Sequence, residues 1–213
     1  MKTKNKTASF YWLGGSACAG KTTISKILSE EYGFAVYHCD DYLGKHIEMS
    51  DVKAQPNLYK AKALNWNEIL GMKPEDYLIW NIALYREEFD LILRDLEELS
   101  DDKPILAEGI NLLPGLLQDK ITDRNHAVWV VAEDNFYINH QVHRKELYER
   151  INTCSDPGQA LHNYMSFDLA LGRHILYEAQ RFDRKVMLVK DEEDIMKNVR
   201  ELISYFGLID DKR

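Results

Sequence analysis

Five short apolar runs punctuate the chain: Phe10 to Leu13, Ala35 to His38, Ile105 to Ala107, Ala127 to Val131, and Val186 to Val189. Apolar residues follow one another in these runs instead of alternating with polar ones, the pattern of strands covered on both faces. Between the runs, apolar positions fall at helical spacing. Ile24, Ile27, Leu28 and Tyr32 form one stripe, and Gly33 stands where such a helix stops. Leu78, Ile82, Tyr85, Phe89, Ile92, Leu96 and Leu99 form a longer stripe, opened by Pro74-Glu75-Asp76. Residues 134 to 151 and 160 to 182 predict two further helices with a turn at Ser155-Asp156-Pro157-Gly158 between them. A last helix covers Glu193 to Phe206. Alternating strands and helices predict an α/β fold built on a five-stranded, mainly parallel sheet. Ligands of such sheets bind beyond the carboxyl ends of the strands, so the residues that follow each run are the ones to read for chemistry.

With 213 residues, of which 45% are hydrophobic, the chain is long and apolar enough for one globular domain with a full core. Residues 1 to 8 and 210 to 213 read as frayed ends. The formal charge of −8 argues against nucleic acid as a partner, because phosphate backbones are held mainly by positive charge. No apolar run approaches the roughly 18 residues that span a bilayer, so no membrane contact is expected. Cys18, Cys39 and Cys154 have neither metal nor disulfide spacing, which fits free thiols in a cytoplasmic protein. His140, His143 and His162 make no zinc pattern either.

The first strand runs out into Gly14-Gly15-Ser16-Ala17-Cys18-Ala19-Gly20-Lys21-Thr22-Thr23, and an amphipathic helix follows. The stretch from Gly15 to Thr22 matches G-x-x-x-x-G-K-[ST]. Glycines let successive backbone N–H groups turn inward, and the helix adds its positive end, so the loop makes a cradle for phosphate. Lys21 would reach the β- and γ-phosphates of ATP and Thr22 would ligate Mg²⁺. Thr23 would serve the first helical turn and Cys18 would fill space. The competing structural reading is a glycine-rich turn with an incidental lysine.

The second strand ends in His38-Cys39-Asp40-Asp41-Tyr42. Here the chain resembles the small P-loop kinases of the shikimate kinase, gluconate kinase, chloramphenicol phosphotransferase and zeta-toxin type. The resemblance implies a three-layer P-loop fold with a helical lid. It also implies an aspartate that takes or orients the proton of the acceptor hydroxyl, Asp40 or Asp41, with Asp40 favoured by its offset from the strand. A helix cap or a turn is the alternative role for the pair. The third strand ends in Glu108-Gly109-Ile110-Asn111-Leu112-Leu113-Pro114-Gly115, similar to the EG-x-H-x-x-PG run of 2-phosphoglycerate kinases with Asn111 in the place of their histidine. Glu108 is then the acid that supports the metal or touches the substrate; Glu133 and Asp134 compete for the metal role. His143 to Arg150 resembles the HR-x-x-x-Y-x-R pattern of the same kinases, which makes Arg144 and Arg150 the lid arginines, provided the helix ends or bends between them. Arg173 stays unassigned. One departure separates the chain from that family. Tyr42-Leu43-Gly44-Lys45-His46 occupies the place of an arginine that would hold a triply charged acceptor.

The resemblance spans about residues 9 to 206, with the segment from 56 to 100 expected to recognise the acceptor and residues 134 to 165 to form the lid. Among the aromatic residues of the first segment, Trp66 is the expected substrate contact because it lies between Asn65 and Asn67; the others, at helical spacing, read as core. The expected function is ATP- and Mg²⁺-dependent transfer of the γ-phosphoryl group to a hydroxyl of a small molecule, by a monomer or homodimer. The rival reading is a nucleotide-dependent regulatory ATPase or switch with a protein partner. Against a GTPase, the only Asn-Lys pair is Asn5-Lys6, far from the late strand where guanine is read.

Overall fold

The structure, a computed structural model, describes residues 9–99 and 103–208; both expected frayed ends lie outside them. The strands are β1 (Phe10–Gly15), β2 (Ala35–His38), β3 (Ile105–Glu108), β4 (Ala127–Ala132) and β5 (Val186–Val189). All neighbours pair parallel, in the order β2-β3-β1-β4-β5. The strand that feeds the glycine-rich loop is thus central.

The helices are α1 (Lys21–Tyr32), α2 (Cys39–Met49), α3 (Pro56–Ala61), α4 (Trp66–Leu70), α5 (Pro74–Glu98), α6 (Asp134–Gln141), α7 (Lys145–Ile151), α8 (Pro157–Arg181) and α9 (Glu192–Tyr205). Successive strand residues alternate between two cores. Leu13, Leu106, Val128 and Val130 pack against α1 and α9. Trp12, Ile105, Ala107, Trp129 and Val131 pack against α5 and α8. Three layers result, as the continuous apolar runs require. The alignment of this sheet with the loop after β1 is that of a P-loop fold.

Local chemistry explains where the helices begin and end. Gly33 closes α1 in the left-handed region, φ 73°. Asp156 is the N-cap of α8, accepting from the Gln159 amide, and Pro157 is its first residue, so the expected turn at 155–158 is a helix start. The single helix expected over 134–151 is two, α6 and α7, broken at residues 142–144. Among the described residues, three α-helices escaped the apolar pattern. Helices α3 and α4 are too short to show a stripe, and α2 starts directly at the end of β2 with no connecting loop.

Candidate active site

Gly14 and Gly15 leave the sheet flush against β4. A side chain at Gly15 would run into the Val130 carbonyl, and one at Gly14 into the Trp129 indole and the Leu112 carbonyl. Gly15 also has φ 137°, which L residues avoid. Ser16 then ties the loop to β4: its N–H donates to Val130 O at 3.0 Å, and its Oγ accepts from the Ala132 N–H at 2.9 Å. Cys18 takes the left-handed conformation, φ 59°, as does Gly20, φ 80°. Cys18 therefore does more than fill space, since it carries a backbone angle usually left to glycine. Ala17 and Ala19 complete the small-residue path, and Ala19 is buried.

Gly20 is the N-cap of α1, so the free N–H groups of the first helical turn face the loop. Lys21 folds back over it, with Nζ donating to Ser16 O at 2.8 Å. Burial pushes the Lys21 ammonium below its ordinary pKa, while Glu108 and Asp40 pull it up. Thr22 and Thr23 are exposed in the same turn. A cradle of left-handed glycines, helix N–H groups, an ammonium and an exposed hydroxyl fits a Mg²⁺-bound triphosphate. Among the described residues no three histidines, cysteines or carboxylates gather as a metal site. Mg²⁺ held mainly by phosphate and water, with one or two protein oxygens, asks for no such cluster.

Parallel register brings the acids to this loop. Glu108 lies level with Leu13 on one side and with His38 on the other. It is buried, and its Oε1 is 2.7 Å from His38 Nδ1. Asp40 follows His38 by two residues, in the first turn of α2, and lies in the field of Lys21. Asp40 and Asp41 are both exposed in that turn, and Asp40 is near enough to Lys21 to pull its pKa upward. Both acids lie in the first turn of α2, where negative charge favours the helix N-terminus, but the N-cap position is His38 and no side chain caps the helix.

The break between α6 and α7 does not fall between the two expected lid arginines: Arg144 is the N-cap residue of α7 and Arg150 lies in its last turn, so the helix neither ends nor bends between them and the two point to different surroundings. Arg144, at the break, donates to Tyr164 Oη at 3.0 Å and lies 3.4 Å from Asp168 Oδ2, and it contributes to the fields at Cys18 and Lys21. Burial lowers its pKa, but Tyr164 and Asp168 outweigh burial and leave it above its ordinary value. Arg150 instead lies over the Trp66 ring, 4.5 Å from its centre. The polar neighbours of Trp66 are structural: Asn65 caps α4 by accepting from the Glu68 N–H, and Asn67 accepts from the Ser155 N–H. Trp66 and Arg150 thus meet each other and secure α4 against α7. Arg173 pairs with Asp134 at 2.6 Å, and Lys190 with Glu133 at 3.0 Å. Both acids of that competing pair are therefore engaged, beside a cavity of about 350 Å³ on the flank of the loop.

Sequence reasoning missed Asp168. It is buried on α8, accepts from Tyr137 Oη at 2.8 Å, and holds Arg144. Burial raises its carboxyl to a pKa of about 6, against the pull of Arg144 and Tyr137. An acid at one position of a long helix carries no motif; only its apolar surroundings on that helix hinted at burial. His38 was likewise read only as a strand residue.

No protein-family model matches the chain. A 2-phosphoglycerate kinase of Methanocaldococcus jannaschii is 20% identical over 175 residues, 79% of this chain and 54% of that protein. The chain thus spans about half the length of the curated relative it matches. Among solved structures, TT1252 from Thermus thermophilus is similar over 93% of this chain and 98% of that one, with a TM-score of 0.51 and 15% identity. Shikimate kinase from Acinetobacter baumannii, solved with shikimate, is similar over 97% of both chains, with a TM-score of 0.46 and 12% identity. The chain resembles a small P-loop kinase. The TT1252 likeness supports the same fold as the strand order and the loop.

Proposed function

We propose that this chain is an ATP- and Mg²⁺-dependent phosphotransferase that moves the γ-phosphoryl group to a hydroxyl of a small molecule. The observation that carries the reading is the position of Lys21, bonded to its own loop and lying in the fields of Asp40, Glu108 and Arg144. A phosphate cradle, an acid for the acceptor and a closing cation converge there. The resemblance to 2-phosphoglycerate kinase adds support.

Bound Mg-ATP would supply the phosphoryl group, with the metal offsetting charge on the phosphate oxygens. The loop amides and Lys21 bind and orient the triphosphate. The Thr22 hydroxyl and Glu108 would hold the metal and its water. Asp40 aligns the acceptor hydroxyl and receives its proton, and Arg144 closes over the phosphates and excludes water.

The test is acceptor-dependent release of ADP from Mg-ATP by the purified protein. Lys21→Ala should abolish turnover. Asp40→Asn should lower it by about 10²-fold or more with ATP affinity kept. Tight ATP binding with slow hydrolysis and no transfer to any acceptor would sink the kinase reading in favour of a regulatory ATPase.

A further inference from the structure

Charge is uneven around the loop. Lys21 lies in the field of three carboxylates, Glu108, Asp40 and Asp168, and of one guanidinium, Arg144. Geometry places them independently of that field. Glu108 is level with Leu13, two residues before the loop turns. Asp40 follows His38, whose ring touches Glu108. Asp168 and Arg144 are paired at 3.4 Å. Mg-ATP adds roughly two negative charges to this set. Lys21 and Arg144 offset those two, and the three carboxylates remain.

Basic side chains on the acceptor side are engaged elsewhere. Lys45, from the segment that replaces the family's arginine, donates to Asp95 at 3.2 Å. Lys62 donates to the carbonyls of Glu48 and Ser50, and Arg150 covers Trp66. Facing Asp40 from α5 is Tyr85, buried, with its hydroxyl in the field of Tyr77, Asp40, Tyr164 and Asp168. That hydroxyl makes no hydrogen bond among the described residues and does not belong to the fully sealed unpartnered side-chain atoms, so a ligand can meet it as donor or acceptor.

Building on the kinase reading, we propose that the acceptor is an uncharged or cationic ring-bearing polyol, of the sugar or nucleoside class, and that acceptors bearing phosphate or carboxylate are rejected by charge. An anionic acceptor would add its own charge to the uncompensated carboxylates in a partly dry site, where repulsion is strong. A polyol brings hydroxyls for Asp40 and Tyr85, and its ring matches the flat faces of the tyrosines. The selectivity is opposite to that named in the 2-phosphoglycerate kinase this chain resembles.

Transfer from Mg-ATP to uridine, adenosine, ribose, glycerate and 2-phosphoglycerate, at low and high salt, tests this. We expect kcat/KM for an uncharged acceptor to exceed that for either acid by at least about 10²-fold. Residual turnover of the acids should rise with ionic strength as repulsion is screened, while that of the uncharged acceptor does not. Tyr85→Phe should raise KM for the acceptor several-fold and leave KM for ATP unchanged. Equal or better use of 2-phosphoglycerate would overturn the inference and leave the kinase reading standing. Absence of transfer to every acceptor, by protein that binds Mg-ATP, would remove the kinase reading and this inference with it.

Discussion

His46 on α2 and Glu88 on α5 form a buried pair, with Nδ1 3.2 Å from a carboxylate oxygen and the two side chains 2% and 0% exposed. The other ring nitrogen meets Asp95 at 3.1 Å, and Asp95 also accepts from Tyr37 Oη and Lys45. Two ring nitrogens that face two carboxylates can both donate only as imidazolium. Glu88 accepts in addition from Asn111 Nδ2 at 2.8 Å. Asp40 lies in the first turn of α2 and Glu108 three residues before Asn111, so this cluster ties together the segments that carry the two candidate acids.

His46 therefore makes stability depend on alkali. Burial alone would lower its pKa, but the bonds to Glu88 and Asp95 outweigh burial and hold it above the ordinary 6.5. A folded pKa above the unfolded one gives stabilisation that is complete below the ordinary value and lost as pH rises through the raised one. His46→Gln should cost on the order of 2–4 kcal/mol at neutral pH, and the gap to the wild type should narrow in alkali. Urea unfolding across the pH range reads this directly; a gap that does not vary with pH would exclude a titrating His46.

Asp168 behaves in the opposite way. Its folded pKa of about 6 exceeds the ordinary 3.8, so folding favours the protonated acid. Its contribution is most favourable below the ordinary value and declines as pH rises to about 6. Asp168→Asn should then raise stability at neutral pH, by about 1–3 kcal/mol, with the advantage growing between the two values and flat above them. The same variant frees Arg144, and kcat should fall by about 10-fold. Thermal unfolding and turnover, measured on one preparation, would separate the two effects; a variant that is both less stable and fully active contradicts the assignment.

The strands and most helix boundaries were legible because their causes are local. A buried parallel strand writes a continuous apolar run, Gly33 writes a stop, and Gly15 to Thr22 write a loop whose small residues are demanded by the backbone itself. The placement of Glu108 and Asp40 beside the loop was legible for a related reason, since the carboxyl ends of parallel strands open on the same side of the sheet. The rest depended on pairing across the chain. Nothing near Asp168 announces Arg144, and nothing near Glu88 announces His46 or Asn111. Arg144 and Arg150 show the limit from the other side. One motif named both, but six residues of one continuous helix, α7 with its cap, turn one to Asp168 and the other to Trp66.

Two glycines with positive φ should respond differently to alanine. At Gly15 a methyl group meets the Val130 carbonyl, whereas at Gly33 it meets nothing within 4 Å. Gly33→Ala should cost only the left-handed backbone strain, about 1 kcal/mol, and keep ATP binding. Gly15→Ala must move β1 or β4 as well and should lose ATP binding even where the protein still folds. Calorimetric titration with Mg-ATP after circular dichroism compares the two; ATP affinity retained in Gly15→Ala would mean that the loop is not the phosphate cradle.

The two arginines of the lid segment give the sharpest comparison. Arg144 lies at the helix break, tied to Asp168 and Tyr164 and within the field of Lys21. A guanidinium there can turn from Asp168 to a phosphate oxygen with little reorganisation, and its fork suits two oxygens at once. Arg150 has a different partner, the exposed face of Trp66, a contact of about 0.5–1 kcal/mol. Arg144→Ala should lower kcat/KM for ATP by about 10²-fold, and Arg144→Lys should restore only part of it. Arg150→Ala should change kcat/KM by less than about 3-fold and instead lower the melting temperature slightly. Steady-state kinetics of the three variants decides the matter. A larger kinetic defect in Arg150→Ala than in Arg144→Ala would mean that α7 turns over to deliver Arg150 to the nucleotide.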